Sequence, residues 1–144
     1  MTYGDDKREV IESAEELAND FWNFRHEFEF VAPTTTLDIA FDNAFDYIKR
    51  RLDFKPFIIS DMGDNPTAGG AGDVTWTLDK ILKMDQLKKN DSPELIYASI
   101  PGPDLISKAF EAGIGNNVSG FVGAMIDDRY SPPIEINGIV HSLK

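Results

Sequence analysis

A predicted strand, a glycine-rich loop and a helix follow one another between residues 55 and 82, and no other feature constrains the fold as strongly. Residues 55–60 carry an apolar run behind a proline, which is typical of a buried strand. Residues 61–72 are rich in turn-forming glycine. Helical spacing of apolar side chains begins after Asp73. This order predicts a ligand site at a helix N-terminus, where backbone N–H groups and the helix dipole point at the ligand.

The other periodic segments predict an α/β fold. Helical spacing is found at residues 7–28, 37–52 and 103–112, and strand-forming residues are found at 94–100, 115–126 and 134–141. The order strand, helix, strand, helix in the middle of the chain predicts a βαβ unit with a right-handed crossover. We therefore expect helices packed on a mixed, partly parallel sheet, with the βαβ unit at its centre, in a single domain spanning residues 1–144.

The first predicted helix has the longest apolar stripe. Its members recur at alternating steps of four and three residues: Val10, Ala14, Leu17, Phe21, Phe24 and Phe28. We expect this face to pack in the core, and a groove on a partner protein is the alternative.

Composition excludes several classes of protein. The formal net charge of −11 leaves no basic surplus for a phosphate backbone, so we expect no nucleic-acid partner. There is no cysteine, which excludes a thiolate nucleophile and a zinc ribbon. No apolar run approaches the roughly 18 residues of a membrane span, so we expect no membrane partner. The N-terminal residues have no signal-peptide pattern, and the expected location is cytoplasmic.

Familiar catalytic and metal motifs fail. A Walker loop would need a lysine before Lys80, and a Rossmann fingerprint would need glycine in place of Thr75. The pair His26-Glu27 is followed by Phe30 where a zinc motif requires histidine. The other histidine, His141, lies on a different predicted element. We therefore assign no catalytic residue and no metal ligand.

Eight residues in the loop are the candidates for a binding site. Asp73 either caps the following helix or contacts a ligand, whereas Asp61 and Asp64 either bind a ligand or metal or are simply solvated. Asn65 forms a turn-favouring pair with Pro66. The glycines permit positive φ and close approach of a ligand. The full set is Asp61, Asp64, Asn65, Gly69, Gly70, Gly72, Asp73 and Thr75.

The same stretch carries a family resemblance. The run ISDMGDNP at residues 59–66, followed by GGAGD at 69–73 and by Thr75, resembles the signature of the MlrC (microcystinase C) metallopeptidase-like proteins at the start of their C-terminal domain. The segment FEAGIG at 110–115 and the turn SPP at 131–133 are also similar to that family. Many members have GGGAPGD where this chain reads TAGGAGD, so the loop lacks a second proline.

The resemblance implies a zinc site of histidines and carboxylates in an upstream domain. Zinc is thus implied for the full-length family enzyme, and we expect this chain alone to bind no cofactor. The implied function is the C-terminal, cleft-closing and substrate-supporting portion of a zinc-dependent peptidase or amidohydrolase, which is not expected to be catalytic alone. Its partners would be the upstream metal-binding domain and a peptide-like substrate, held by the eight loop residues. The alternatives are a non-catalytic module that binds a small anion or a protein, and a purely structural domain.

Overall fold

The computed structural model describes residues 1–50 and 55–144. Its elements are α1 (Lys7–Asn23), α2 (Leu37–Arg50), α3 (Trp76–Lys83), α4 (Pro103–Ala112), β1 (Asn117–Val122) and β2 (Ile134–Ile139), with short 3₁₀ turns at Pro66–Ala68 and Asp85–Lys88. The chain divides into two compact units, Met1–Thr36 and Leu37–Lys144. The expectation of a single domain over 1–144 stays a prediction.

The first unit consists mainly of α1. The helix begins behind Asp6, whose carboxylate accepts hydrogen bonds from the N–H groups of Arg8 and Glu9 at 2.7 and 3.2 Å, as an N-cap does. A helix is confirmed over Lys7–Asn23, and it ends before Phe24 and Phe28, the last two members of the predicted stripe. The expected burial of its apolar face is not found, because none of the residues of α1, all of which the structure describes, is buried.

The core of the second unit consists of apolar side chains from α2, from α3 and from residues in or next to the two strands. Helices α2 and α3 each turn one apolar face inward, as their spacing predicts. The predicted last residues of α2, 51 and 52, lie outside the described residues. The buried apolar side chains are Ala40, Phe41, Ala44, Leu78, Ile81, Val122, Ala124 and Val140.

Strands β1 and β2 form a two-stranded antiparallel sheet, in register from Asn117 opposite Ile139 to Val122 opposite Ile134. Helix α4 packs on β1. The two elements approach closely at Gly120, where a Cβ would lie 3.3 Å from the Cα of Leu105 and would require a shift of a few tenths of an ångström. Both strands were predicted from the sequence and are confirmed.

The partly parallel sheet and the βαβ unit are not supported. Residues 55–60 and 94–100 form no strand, and the apolar side chains of Ile58 and Ile96 are 82% and 84% exposed. A strand forms only where a neighbouring strand satisfies its N–H and C=O groups, and the described part of the chain provides no such partner for either segment. The fold is therefore mixed α/β, with four helices and one antiparallel pair in the described ranges. None of these helices combines the length and apolar character that crossing a bilayer requires.

Candidate functional site

The loop between residues 61 and 75 is held in shape by the carboxylate of Asp64. Its Oδ1 accepts a hydrogen bond from the N–H of Gly72, and its Oδ2 accepts one from the N–H of Val74, both at 2.7 Å. Within residues 64–74, which these bonds close into a loop, Asn65 caps the short 3₁₀ turn: its Oδ1 accepts a hydrogen bond from the N–H of Thr67 at 2.9 Å. The carboxylate and the amide thus stabilise the loop from inside.

Two glycines are required by this closed shape. Gly72 has a φ of +71°, and a Cβ there would lie 2.5 Å from Cγ of Pro66. A Cβ on Gly70 would lie 2.9 Å from the backbone nitrogen of Asn65. Since real side chains do not approach so closely, the loop cannot keep this conformation with larger residues at these positions.

Asp73 connects the loop to the segment that follows β1. Its carboxyl Oδ2 accepts hydrogen bonds from the N–H groups of Met125 and Ile126 at 2.7 and 2.6 Å, and its Oδ1 accepts one from the N–H of Asp127 at 3.3 Å. The N–H of Ala124 also donates to the backbone carbonyl of Asp73 at 2.6 Å. Only 1% of Asp73 is exposed, so its carboxylate is fully engaged in binding another part of the chain.

Thr75 makes a second such connection. It is completely buried, and its Oγ1 donates a hydrogen bond to the carbonyl of Pro132 at 2.8 Å, just before β2. The chain passes close by at Gly123, which has a φ of +68° and whose Cβ would lie 2.4 Å from Cγ2 of Thr75. We call Asp73, Thr75 and residues 123–127 the junction.

An open cleft of about 910 Å³ lies beside the junction. Its walls come from the loop and the start of α3 on one side and from residues 126–130 on the other. Asp61 stands at the beginning of the loop, where its carboxylate accepts from the N–H of Gly63 at 2.8 Å and from Oγ1 of Thr77 at 2.7 Å. The lining residues are Asp61, Gly63, Asp64, Gly69, Gly70, Ala71, Val74, Trp76, Thr77, Ile126, Asp127, Arg129 and Tyr130.

The wall at residues 126–130 carries an ion pair and an aromatic ring. Arg129 Nε and Nη2 donate to the two carboxyl oxygens of Asp127 at 2.8 and 2.6 Å, which is a bidentate pair. The guanidinium of Arg129 holds the pKa of the Asp127 carboxyl below its usual range. The same guanidinium lies 5.5 Å from the ring centroid of Tyr130, within cation–π distance.

Tyr97 lies near the carboxylates of the loop. Its pKa is raised above the usual value by burial of the phenol and, in addition, by the negative charges of Asp61 and Asp64. The phenol, which is already protonated at neutral pH with its ordinary pKa of 10.0, therefore stays protonated to higher pH.

A comparison with protein families identifies the cleft-bearing region. A family model described as the MlrC C-terminus matches residues 59–144, which is more than half of the chain and includes every residue that lines the cleft. This chain belongs to the MlrC C-terminus family. A comparison with curated proteins gave no match, and one with solved structures gave none either.

The MlrC C-terminal domain brings only some of the predicted site residues to the cleft. Asp61, Asp64, Gly69 and Gly70 line it. The other four do not line it, and their groups are used in the loop and the junction: Asn65, Gly72, Asp73 and Thr75. Contact of the eight residues with a substrate stays a prediction.

One sequence-based interpretation is wrong. Asp73 does not cap α3, which begins at Trp76 behind Thr75 and has no side-chain cap. Several of the loop amides are used within the loop itself. Those of Gly63, Gly72 and Val74 donate to the loop's own carboxylates, while those of Gly69 and Gly70 donate to its carbonyls. The aspartates of this loop therefore occupy three of its amide donors.

Sequence analysis missed the wall at residues 126–130 and the aromatic Trp76. The sequence IDDRY places two acids, a base and an aromatic residue directly after a predicted strand, and this was the available signal. Trp76 had no signal, because a tryptophan in the first turn of a helix is as compatible with the core as with a cleft.

The described residues of this domain do not fit a zinc site. Within residues 1–50 and 55–144, no group of three or more histidine and acidic side chains is placed to hold a metal ion. Asp64 and Asp73 also direct their carboxyl oxygens at backbone N–H groups. No metal-dependent step is therefore assigned to this chain.

Proposed function

We propose that this MlrC C-terminal domain is the substrate-supporting portion of an MlrC-like peptidase or amidohydrolase. In this proposal the domain closes an active-site cleft together with an upstream metal-binding domain and is not catalytic alone. The observation that carries the proposal is the cleft itself, since the family match includes all of its lining residues. Ligand sites are typically such concave surfaces, with aromatic walls and a few placed polar groups.

The cleft offers hydrogen-bond acceptors and aromatic surface. Asp61 and Asp64 present carboxylates, and Trp76 and Tyr130 present rings that are 45% and 65% exposed. A peptide-like substrate has the complementary groups, because its amide N–H groups donate hydrogen bonds and its side chains pack on aromatic rings. The residues of this chain would thus bind and orient the substrate.

A small anion fits the same cleft poorly. Its lining includes three carboxylates and one guanidinium, and that guanidinium is already paired with Asp127. Five of the loop amides, at Gly63, Gly69, Gly70, Gly72 and Val74, are also occupied. The anion-binding alternative therefore has no observation in its favour, and the peptide-like ligand is the better proposal.

The proposal can be tested by co-expressing this chain with the metal-binding domain of an MlrC-type protein and measuring hydrolysis of a panel of small peptides. We expect Trp76→Ala and Asp61→Asn each to raise KM by about tenfold with little change in kcat, since they remove binding and leave the chemistry elsewhere. Asp85→Asn is the matched control, because Asp85 is highly exposed and does not line the cleft.

Hydrolysis that survives complete deletion of this domain would refute the proposal. A thermal-shift screen separates the alternative function. Stabilisation by inorganic phosphate and not by peptides would favour the anion-binding module, because a ligand that binds only the folded state raises the melting temperature.

A further inference from the structure

The two walls of the cleft differ in charge. The wall formed by the loop and the start of α3, which we call the loop wall, contributes Asp61 and Asp64 to the lining. It contributes no basic side chain among its lining residues, all of which the structure describes. The opposite wall contributes Asp127 and Arg129, which neutralise each other in their bidentate ion pair. The uncompensated negative charge of the cleft therefore lies on the loop wall.

The two carboxylates of the loop wall can accept further hydrogen bonds. Asp61 accepts from the N–H of Gly63 and from the hydroxyl of Thr77, and Asp64 accepts from two backbone N–H groups. Since a carboxylate has about four acceptor sites, each keeps about two. These donors are uncharged, and neither carboxylate forms an ion pair with a basic side chain of the described residues. Both charges thus lack a counter-charge in direct contact.

The aromatic rings of the cleft also favour a positive group. The face of an aromatic ring carries negative potential, which attracts cations and disfavours anions. The guanidinium of Arg129 lies 5.5 Å from the ring centroid of Tyr130, and Nζ of Lys80 lies 5.6 Å from that of Trp76. Both rings therefore attract cations of the chain itself. Even when Lys80 is included, three carboxylates face two basic groups, and the cleft keeps a negative formal charge.

We propose that the part of the substrate bound at the loop wall carries a positive charge, as an ammonium or a guanidinium group. The inference rests on the proposed function, which assigns a peptide-like substrate to this cleft, and it adds a preference for lysine, arginine or a free amino terminus. Such a group donates charge-assisted hydrogen bonds to carboxylates and is attracted by ring faces. A cleft lined by one sign of charge also concentrates ligands of the opposite sign.

Titration of the full 144-residue chain with short peptides, followed by NMR chemical shifts, tests the inference. The probes are tripeptides of alanine, a variable residue and alanine, blocked at both ends, with lysine, norleucine or glutamate in the middle. A fourth probe is the norleucine peptide with a free amino terminus. We expect the lysine peptide or the free-terminus peptide to bind about tenfold more tightly than the blocked norleucine peptide, and the glutamate peptide to bind more weakly.

The comparison between these probes also identifies the source of the positive charge. Tighter binding of the lysine peptide assigns it to a side chain, and tighter binding of the free-terminus peptide assigns it to the main chain. Raising the salt concentration from about 0.05 M to about 0.5 M should reduce the tenfold preference to below about threefold, because ions screen partly exposed charges.

Asp61→Asn removes one charge and preserves the contacts of the side chain. The asparagine oxygen can accept from the N–H of Gly63, and its NH₂ group can donate to the hydroxyl of Thr77. We expect the preference for the cationic peptide to fall from about tenfold to about threefold, since the other carboxylate remains. Asp85→Asn is the matched control, because its side chain is 92% exposed and does not line the cleft. It should leave the preference unchanged.

Lys80→Gln should act in the opposite direction. It removes the cation that lies over the ring of Trp76, so we expect the preference for the cationic peptide to rise by about twofold. Melting temperatures equal to that of the parent protein would show that the three variants are folded.

The outcomes distinguish this inference from the proposed function. Equal binding of the charged and neutral peptides would overturn the inference and leave the substrate-supporting role intact. A preference that Asp61→Asn does not reduce would also overturn it, as would tightest binding of the glutamate peptide. Failure of every peptide to bind would overturn both proposals.

Discussion

The junction and helix α1 reverse the usual relation between polarity and burial. Asp73 and Thr75 are 1% and 0% exposed, whereas α1, with the longest apolar stripe of the chain, has no buried residue along its described length. The difference lies in the partners. Asp73 accepts N–H groups from residues that follow it by 52 to 54 positions, and these hydrogen bonds compensate for removing the charge from water. The apolar side chains of α1 have the spacing of a core-facing helix, but no part of the described structure covers them, so they are exposed to solvent.

The largest expected effect comes from removing the carboxylate of the junction. Asp73→Ala should lower the free energy of unfolding by about 4 kcal/mol, since three hydrogen bonds to a charged group are lost and three N–H groups are left without their acceptor. Urea denaturation measures this change. Asp85→Ala, on an exposed aspartate, should change stability by less than about 0.5 kcal/mol.

Asp73→Asn discriminates between the junction and a helix cap. Asparagine caps a helix nearly as well as aspartate, so a capping role predicts little loss. In the junction, the NH₂ group of the asparagine would face a backbone N–H donor instead of accepting from it. Asp73→Asn should therefore lower the free energy of unfolding by about half as much as Asp73→Ala does. If Asp73→Asn is as stable as the parent protein, the carboxylate of Asp73 does not stabilise the junction in the way described.

Replacing one leucine in the core and one in α1 by alanine compares how much each region contributes to stability. Leu78→Ala should cost about 3 kcal/mol because Leu78 is 6% exposed and its removal leaves a cavity. Leu17→Ala should cost less than about 1 kcal/mol because Leu17 is 54% exposed. Chemical denaturation of the two variants checks both values, and equal losses would show that the stripe of α1 is covered after all.

The close approach at the junction can be probed with a single methyl group. Gly123→Ala should cost about 2 kcal/mol, since the residue has a φ of +68° and its new Cβ would meet Thr75 and the backbone oxygen of Asp73. Gly138→Ala is the matched control, because no atom lies within 4 Å of the position of its Cβ. Thermal unfolding of the two variants should separate them clearly. A stable Gly123→Ala protein would argue against the packing described for Thr75.

The smallest effect is electrostatic and concerns the outer edge of the loop. The pKa of Tyr97 lies above its ordinary value of 10.0, so the folded protein binds this proton more tightly than the unfolded chain does. Stability is therefore lost as the pH rises above about 10, where the unfolded phenol ionises first.

Asp61→Asn removes one of the charges that raise this pKa and should shift the phenol titration of Tyr97 toward lower pH. Ultraviolet titration, with Tyr97→Phe to identify the step, is the measurement. An unchanged titration curve would place Tyr97 away from the loop.

The sequence predicted elements that depend on local spacing. Local patterns were sufficient to predict helices α2 and α3 and strands β1 and β2. Each of these elements is specified by residues close together in the chain. The prediction failed for residues 55–60 and 94–100, which have the composition of strands but no strand partner among the described residues. Its two alternatives for Asp73, a cap of the next helix or a ligand contact, did not include the N–H groups of residues 125–127, because these lie more than 50 positions away in the chain.

The sequence by itself determined the family, most of the helices and the presence of an acidic, glycine-containing loop between residues 61 and 75. Only the tertiary structure decided what the acids of that loop do. Asp64 closes the loop, Asp73 binds the segment after β1, and Asp61 stands in the cleft wall. The physical reason is that a carboxylate accepts any well-placed N–H group, and chain folding alone determines which N–H groups come within reach.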